Sequence, residues 1–471
     1  MIAGSQSLAE ILAASAGVRG VVGSRIVTDT ERGAALANSG PTTPSSSPSV
    51  RHPIRALWAS LVGTSLESYD FYVFSYLSAF FIGPLFFEPL GVFGGTLAAF
   101  LTNALGFVAR PVGAIVFGHL GDRIGRRKTL ILTITIMGVA TGLIGLLPDF
   151  ATAGFLGAAL LVTLRLIQGF SLGGEWGGAI LLATESSDKK KHAFYAAFPQ
   201  LGSPIGSILT AALYLALPIL LSTDDLLSWG WRIPFLIAFP LLLISLWLRL
   251  RIDETPVFTE LVEKQERVRV PLAVVFRTKP VALILGVGAA LLGIGSYSLM
   301  NTYTLNYGAA QLGYDYNELL TAVTIGALLQ LVTIPLFGAL ANRIGSARVV
   351  VIGAVGTLIV AFPIYFLLQE ASFPVLVGMM IIGGILPTMS WAALGGLLST
   401  LFGARIRYSA ISFAYAIAAI ISGFVLPLTL TFGEAVDYAW WHPGVVLAAM
   451  SLITAVSAYL AGRRTLPVEE S

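Results

Sequence analysis

Charged residues are scarce in this chain of 471 residues. Lys, Arg, Asp and Glu together make 11% of it, whereas soluble domains average about 25%, so a fully water-facing surface cannot be built. Cysteine is absent, which excludes disulfides, thiolate nucleophiles and cysteine-bound metals. The net charge of +3 is too small to indicate nucleic-acid binding. With these classes excluded, the sequence is expected to be that of a polytopic membrane protein.

Apolar residues are abundant instead, at 56% of the chain. A helix needs about 20 of them to cross the hydrocarbon core, and apolar runs recur twelve times after Arg55. They predict an all-α membrane protein with twelve transmembrane helices, at 57–86, 93–118, 129–147, 153–183, 193–217, 232–249, 281–309, 318–341, 348–368, 374–402, 409–432 and 443–461.

Composition also divides the chain into domains. Residues 1–53 are rich in Ala, Gly, Ser, Thr and Pro, which predicts a disordered N-terminal tail; a start codon assigned too far upstream is the alternative. Two six-helix bundles follow, at 54–250 and 281–464. A charged central loop at 251–280 separates them, and residues 465–471 form a C-terminal tail.

The basic residues predict the orientation. Lys and Arg fill the connections after spans 2, 4, 6, 8 and 10, whereas the other connections contain acids and no Lys or Arg; Arg232, at the end of span 6, is the one awkward case. Because positive residues stay cytoplasmic, we expect a multi-pass protein of the cell (plasma or inner) membrane with both termini inside.

Five charges fall within the predicted spans, all in the first half: Glu67, Asp70, Arg110, Arg165 and Glu175. Charges at this depth are costly and therefore functional candidates. Glu67 and Asp70 share one helix face near the midplane. Two carboxylates so close do not readily both ionise, which predicts a proton-coupling role. Static pairing with the two arginines is the alternative.

The remaining candidates concern the substrate. Arg110 and Arg165 could each hold an anionic substrate through a bidentate fork or pair with an acid, and Glu175 would complete a buried charge network with Arg165. In the second half, Asn306 and Tyr307 are candidate substrate contacts and Trp391 a stacking wall; helix–helix hydrogen bonding is the alternative. The sequence has no clustered nucleophile and base, so an enzyme is not expected. No metal or cofactor is expected either.

The two halves repeat a motif. Gly118-His-Leu-Gly-Asp-Arg-Ile-Gly-Arg-Arg-Lys128 returns 220 residues later as Gly338-Ala-Leu-Ala-Asn-Arg-Ile-Gly-Ser-Ala-Arg348. Repeated halves are the plan of a rocking transporter with its substrate site between them. The first copy resembles the signature loop of the major facilitator superfamily. In the second copy Asn342 replaces the acid.

Finer motifs resemble the metabolite:proton symporter family, and within it shikimate transporters. They are Gly63-Thr-x-x-Glu67-x-x-Asp70-Phe71, Arg110-Pro-x-Gly113, Arg165-x-x-Gln168-Gly-Phe-Ser-x-Gly-Gly-Glu175-Trp-Gly-Gly178, Trp229-Gly-Trp-Arg-Ile-Pro-Phe235, Leu305-Asn-Tyr307 and Arg407-Tyr-Ser409. The resemblance implies two pseudo-symmetric six-helix bundles. It also implies a cytoplasmic gate of Asp122, Arg123 and Arg126, with Glu185 as partner, and a weaker second latch at Asn342.

Residues and resemblance together predict a secondary active transporter. We expect proton-coupled symport, in the uptake direction, of a small carboxylate metabolite, shikimate-like or a di- or tricarboxylate, by alternating access. The proton gradient drives it without a cofactor, and the protein works as a monomer in the lipid bilayer without a nucleic-acid partner. The alternatives are a proton-coupled symporter of a zwitterion such as proline or betaine, a drug/proton antiporter, and a transporter-like membrane sensor.

Overall fold

The computed structural model describes residues 53–124, 126–173, 175–185, 191–250, 271–402 and 407–464. Within these ranges the chain forms helices and short connections, with no strand. The predicted terminal tails and most of the predicted central loop lie outside the described residues.

Twelve long helices, numbered here in chain order, match the twelve predicted spans. Several are interrupted by a residue or a short turn, and both parts are then given. They are α1 (Pro53–Phe80), α2 (Gly91–Val108 and Arg110–Ile124), α3 (Arg126–Ile144), α4 (Phe155–Leu172 and Glu175–Glu185), α5 (His192–Ala197 and Gly202–Leu220), α6 (Ile233–Leu236 and Ala238–Leu250), α7 (Pro280–Tyr297 and Thr304–Ala310), α8 (Tyr316–Ile344), α9 (Ser346–Leu367), α10 (Phe373–Leu401), α11 (Arg407–Gly423 and Val425–Ala435) and α12 (His442–Gly462).

Ten of these helices are long and apolar enough to cross a membrane by length and composition. The apolar run of α3, Lys128–Ile144, is shorter, and α1 contains Glu67 and Asp70. Short helical segments fill connections, at Ile82–Phe86, Glu88–Leu90, Phe150–Ala153, Thr223–Ser228, Gly230–Arg232, Pro271–Thr278 and Leu368–Glu370.

Helices α2 and α4 touch backbone to backbone because glycines line their contact. A Cβ added at Gly169 would lie 1.7 Å from the carbonyl oxygen of Gly106, and one at Gly173 would lie 2.0 Å from that of Arg110. Small residues permit such close approach between membrane helices. This close packing fixes the positions of Arg110 on α2 and Arg165 on α4 relative to each other.

Helix α7 changes its winding in the middle. Residues Ser298–Tyr303 form a π-helical segment between the two α-helical parts. Such wide turns are found frequently at functional sites, and Met300 and Asn301 in this segment line the central cavity described below.

The two halves of the chain touch at both ends of the helix bundle. At the near end, defined as the side where α1 begins and α8 ends, the Asn342 side chain accepts hydrogen bonds from the backbone N–H groups of Ala193 (2.9 Å) and Phe194 (3.3 Å). At the far end, where α1 ends and α8 begins, Asn306 Nδ2 donates to the Ala79 carbonyl at 3.0 Å. The structure is therefore bridged on either side of its centre.

Candidate functional site

A cavity of about 120 Å³ lies between the two halves. Helices α1, α2, α4 and α5 contribute to its lining from the first half, and α7, α8, α10 and α11 from the second. A site at the interface of two repeats, with contacts between the halves on both sides of it, is the arrangement expected of an alternating-access transporter.

Three of the predicted site residues line this cavity together: Glu67, Arg110 and Trp391. Arg110 is 7% exposed, and its guanidinium lies 4.5 Å from the centre of the Phe107 ring. Its side chain also interacts with that of Tyr415. Its Nε atom is buried with no hydrogen-bond partner among the described residues, so this donor remains open to a ligand.

An aromatic wall closes one side of the cavity. The rings of Trp176 and Tyr415 stack at 4.1 Å and 8°, and the Trp391 ring lies 6.0 Å from Trp176. Gln200 joins this wall across the halves, since it accepts from Trp176 Nε1 (3.3 Å) and donates to the Trp391 carbonyl (3.5 Å). The indole Nε1 of Trp391 is buried without a partner among the described residues.

A row of hydroxyl groups lies toward the far end. Tyr72 hydrogen-bonds to Ser203, and Tyr297 OH donates to Tyr76 OH at 3.0 Å. The rings of Tyr72 and Tyr297, one from each half, lie 4.2 Å apart. Tyr72, Ser203 and Tyr297 line the cavity, where their hydroxyl groups can bind hydroxyl or carbonyl oxygens of a solute.

Asp70 lies apart from the cavity lining, although it is only three residues from Glu67. It is 3% exposed, and its Oδ1 accepts hydrogen bonds from Thr141 of α3 and from Gln168 Nε2 of α4, the latter at 2.7 Å. Its Oδ2 is buried with no hydrogen-bond partner among the described residues. The two carboxylates of the predicted pair therefore occupy different surroundings.

Arg165 belongs to the surroundings of Asp70. Its guanidinium donates to Asn103 Oδ1 at 2.6 Å and to Gln168 Oε1 at 3.1 Å, and it lies 4.0 Å from the centre of the Phe74 ring. Gln168 thus links Arg165 to Asp70. We call Asp70, Thr141, Gln168, Arg165 and Asn103 the buried polar cluster.

Other predicted residues lie elsewhere. Asn306 and Tyr307 are at the far end outside the cavity lining, where the Tyr307 hydroxyl donates to the Tyr438 carbonyl at 3.3 Å. Glu175 is 2% exposed at the start of the second part of α4. The side chains of the predicted gate, Asp122, Arg123, Arg126 and Glu185, lie outside the described residues.

Sequence reasoning missed several cavity residues, namely Tyr72, Trp176, Gln200, Ser203 and Tyr297. They are neutral, and nothing in the composition separates a cavity tyrosine from a packed one. Spacing carried a signal only on α1, where Thr64, Ser68 and Tyr72 recur at every fourth position and all three line the cavity.

Comparison with known proteins identifies relatives of this chain. Residues 56–281 match the family described as "Sugar (and other) transporter", and residues 178–395 match "MFS/sugar transport protein". An inner membrane metabolite transport protein of Escherichia coli K12, YhjE, is 35% identical over 413 residues, covering 86% of this chain and 93% of its own. The shikimate transporter of the same organism is 35% identical over 410 residues, covering 86% and 94%.

Among solved structures, the proton:xylose symporter XylE has the same fold, with a TM-score of 0.69 at 17% identity, over 88% of this chain and 95% of its own. The fold and the interfacial cavity thus define a secondary transporter of the major facilitator superfamily, not an enzyme. Within that superfamily, the chain belongs to the metabolite:proton symporter family. The predicted fold class, twelve helices in two six-helix bundles, is confirmed.

Proposed function

We propose that this protein imports a small carboxylate metabolite together with protons. The observation that carries the proposal is the position of Arg110, a permanently charged group that lines the central cavity and whose Nε has no hydrogen-bond partner among the described residues. A carboxylate is the small anion that this planar donor matches best. The 35% identity to a shikimate transporter supports a hydroxylated carboxylate, for which the tyrosine and serine hydroxyls supply partners.

Proton coupling is assigned to Glu67 and Asp70. Glu67 lines the cavity with Arg110, so a substrate carboxylate and an ionised Glu67 would repel one another, and protonation of Glu67 removes that repulsion. Asp70 sits in the buried polar cluster, where Arg165 and Gln168 hold it and Glu175 lies in the same half. A proton taken up there alters the contact of α1 with α3 and α4 rather than the substrate.

The halves then rock about the cavity. In this proposal the near end is cytoplasmic, because the basic connections lie there, and both termini are inside the cell membrane. Asp122, Arg123, Arg126 and Glu185 form the cytoplasmic gate of the first half, and Asn342 takes that part in the second. The far end, bridged by Asn306, opens to the outside. The protein acts as a monomer and needs no cofactor.

The test uses purified protein in proteoliposomes. Counterflow of labelled shikimate and a panel of organic acids identifies the substrate, and uptake under an acid-outside gradient measures coupling. Asp70→Asn is expected to abolish the stimulation by the gradient while counterflow continues. Glu67→Gln should make uptake less dependent on external pH. Coupled uptake that survives unchanged in both variants would contradict the proton assignment.

A zwitterion is the second candidate substrate, because Glu67 and Arg110 line the same cavity. An ionised Glu67 would hold an ammonium group while Arg110 holds the carboxylate, and the aromatic wall could face a quaternary ammonium. Proline and betaine therefore belong in the counterflow panel. Under this reading Glu67→Gln removes binding, whereas a carboxylate without an ammonium group binds the variant at least as well as the wild type.

A further inference from the structure

A second, smaller cavity of about 20 Å³ lies beside Asp70, between α1, α3 and α6. Its lining contains Asp70 and Thr141, and it shares no residue with the lining of the central cavity. The remaining lining residues are Leu66, Tyr69, Ile134, Met137, Gly138, Ala238, Leu241 and Leu242. We call this space the proton pocket.

The proton pocket has room for one water molecule, which needs at least about 10–15 Å³. A water in a protein interior also needs polar partners, and Asp70 Oδ2 is a buried oxygen that lacks one among the described residues. Thr141 Oγ1, which hydrogen-bonds to the other oxygen of the same carboxylate, provides a second polar atom. The α3 and α6 residues of the lining contain no ionisable side chain.

A second buried oxygen without a partner continues the same helix interface. Ser245 of α6 is 1% exposed, and its Oγ has no hydrogen-bond partner among the described residues. It follows the lining residues Leu241 and Leu242 by about one helical turn, or roughly 5 Å along the axis. Because α6 ends at the near end, Ser245 lies on the near-end side of the pocket.

We propose that the proton pocket binds a water molecule that carries the proton to and from Asp70, by a route along α3 and α6 that is separate from the substrate cavity. The inference rests on the proposed proton role of Asp70. Its consequence is that bound substrate does not block proton exchange, so the proton can leave toward the near end, past Ser245, while the central cavity is still occupied.

The experiment measures proton exchange of the purified full-length protein in detergent. After a pH jump in weak buffer, a pH-indicator dye reports proton uptake, and the difference between wild type and Asp70→Asn isolates the proton on Asp70. To obstruct the central cavity, Asn301, which lines it, is replaced by Cys and labelled with a benzyl methanethiosulfonate. The label is specific because the chain has no cysteine of its own. The rate for Asp70 should then stay within about twofold.

Two glycines of α3 give a matched pair for the proton pocket. Gly138 lines it, and a Cβ there would lie 2.9 Å from the Leu242 side chain; Gly142, one turn on, faces Phe239 of the same helix α6 but lies outside the pocket lining. Gly138→Ala adds a methyl group to the lining of a pocket that has room for only one water, against the lining residue Leu242, and should slow exchange at least tenfold. Gly142→Ala, which crowds the same helix pair, should not slow it.

Leu242→Phe fills the pocket from α6 and replaces Gly138→Ala if that variant does not fold. Slowing by the label at residue 301, or equal rates in the Gly138 and Gly142 variants, would overturn the separate route. If Asp70→Asn takes up as many protons as the wild type, the proposed proton role of Asp70 fails, and the route falls with it. The two failures can be told apart. If Asp70 exchanges its proton through the central cavity, the difference between wild type and Asp70→Asn is still present, and the label at residue 301 slows it.

Discussion

The near-end contact at Asn342 allows a quantitative prediction about which state the transporter populates. Two hydrogen bonds join Asn342 of α8 to the first turn of α5, at 2.9 and 3.3 Å. Each hydrogen bond contributes about 0.5–1.5 kcal/mol. Since Asn342 is exposed, water replaces part of this, and we expect Asn342→Ala to cost the closed near end about 1 kcal/mol. The ratio of closed to open near ends should fall about fivefold.

The opposite change comes from Asn342→Asp. A carboxylate accepts the same two N–H groups and also interacts favourably with the N-terminus of α5, an effect of about 0.3–1 kcal/mol. The state with the near end closed should be stabilised by that amount relative to the state with it open. The two variants therefore move the same equilibrium in opposite directions, which a general loss of stability would not do.

Distances between spin labels measure this equilibrium. Cysteines at Lys191 and Arg343, both exposed, flank the near end, one in each half, and the absence of other cysteines makes the labels unambiguous. Pulsed dipolar spectroscopy then gives the closed and open populations. Equal populations in wild type, Asn342→Ala and Asn342→Asp would refute the reasoning, as would a shift of both variants in one direction.

Three further predictions follow from the site and the helix contacts. Arg110→Lys keeps the charge but loses the planar fork, so the apparent Kd for the transported carboxylate in counterflow should rise at least tenfold while the pH gradient still drives uptake. Trp391→Phe keeps a ring but removes the indole N–H, which has no partner among the described residues. If that N–H binds substrate, loss of one hydrogen bond should raise the apparent Kd about 2- to 13-fold; an unchanged Kd would limit Trp391 to a packing role. Gly169→Ala pushes a methyl group onto the Gly106 carbonyl and should lower stability by about 1–3 kcal/mol or more, seen as a lower midpoint of thermal unfolding, whereas Gly378→Ala, with no atom within 4 Å of the added Cβ, should be neutral or mildly stabilising.

The fold was predictable because each membrane helix can be recognised from its own stretch of sequence. A run of about 20 apolar residues has few alternatives in a bilayer, and the observed ends of α8, Tyr316–Ile344, lie within three residues of the predicted 318–341. Even α1, which contains two acids, was predicted from the length of its apolar run and from its place in the series of twelve runs.

The site was less predictable because its geometry depends on which helix faces meet. Periodicity placed Glu67 and Asp70 on one face of α1. Residues three apart nevertheless differ by about 4.5 Å along the helix axis and by about 60° around it. That offset suffices to direct Glu67 into the cavity and Asp70 toward α3 and α4. Nor does the sequence show that Gln168 separates Asp70 from Arg165. The roles of Asn306 and Tyr307 as substrate contacts stay predictions, since both lie at the far end in this conformation.

Among the described residues, the charged groups that line the central cavity, Glu67 and Arg110, both belong to the first half, while the second half lines it with neutral groups such as Asn301, Gln330, Thr388 and Trp391. Under the proposed function, the acids that carry the proton therefore lie in the first half, whereas the second half surrounds the solute with neutral groups. We therefore expect substitutions of cavity residues after position 280 to change the preferred solute while the proposed roles of Glu67, Asp70 and Arg110 are kept. Chimaeras joined in the central loop would show whether such transporters inherit selectivity from one parent and coupling from the other.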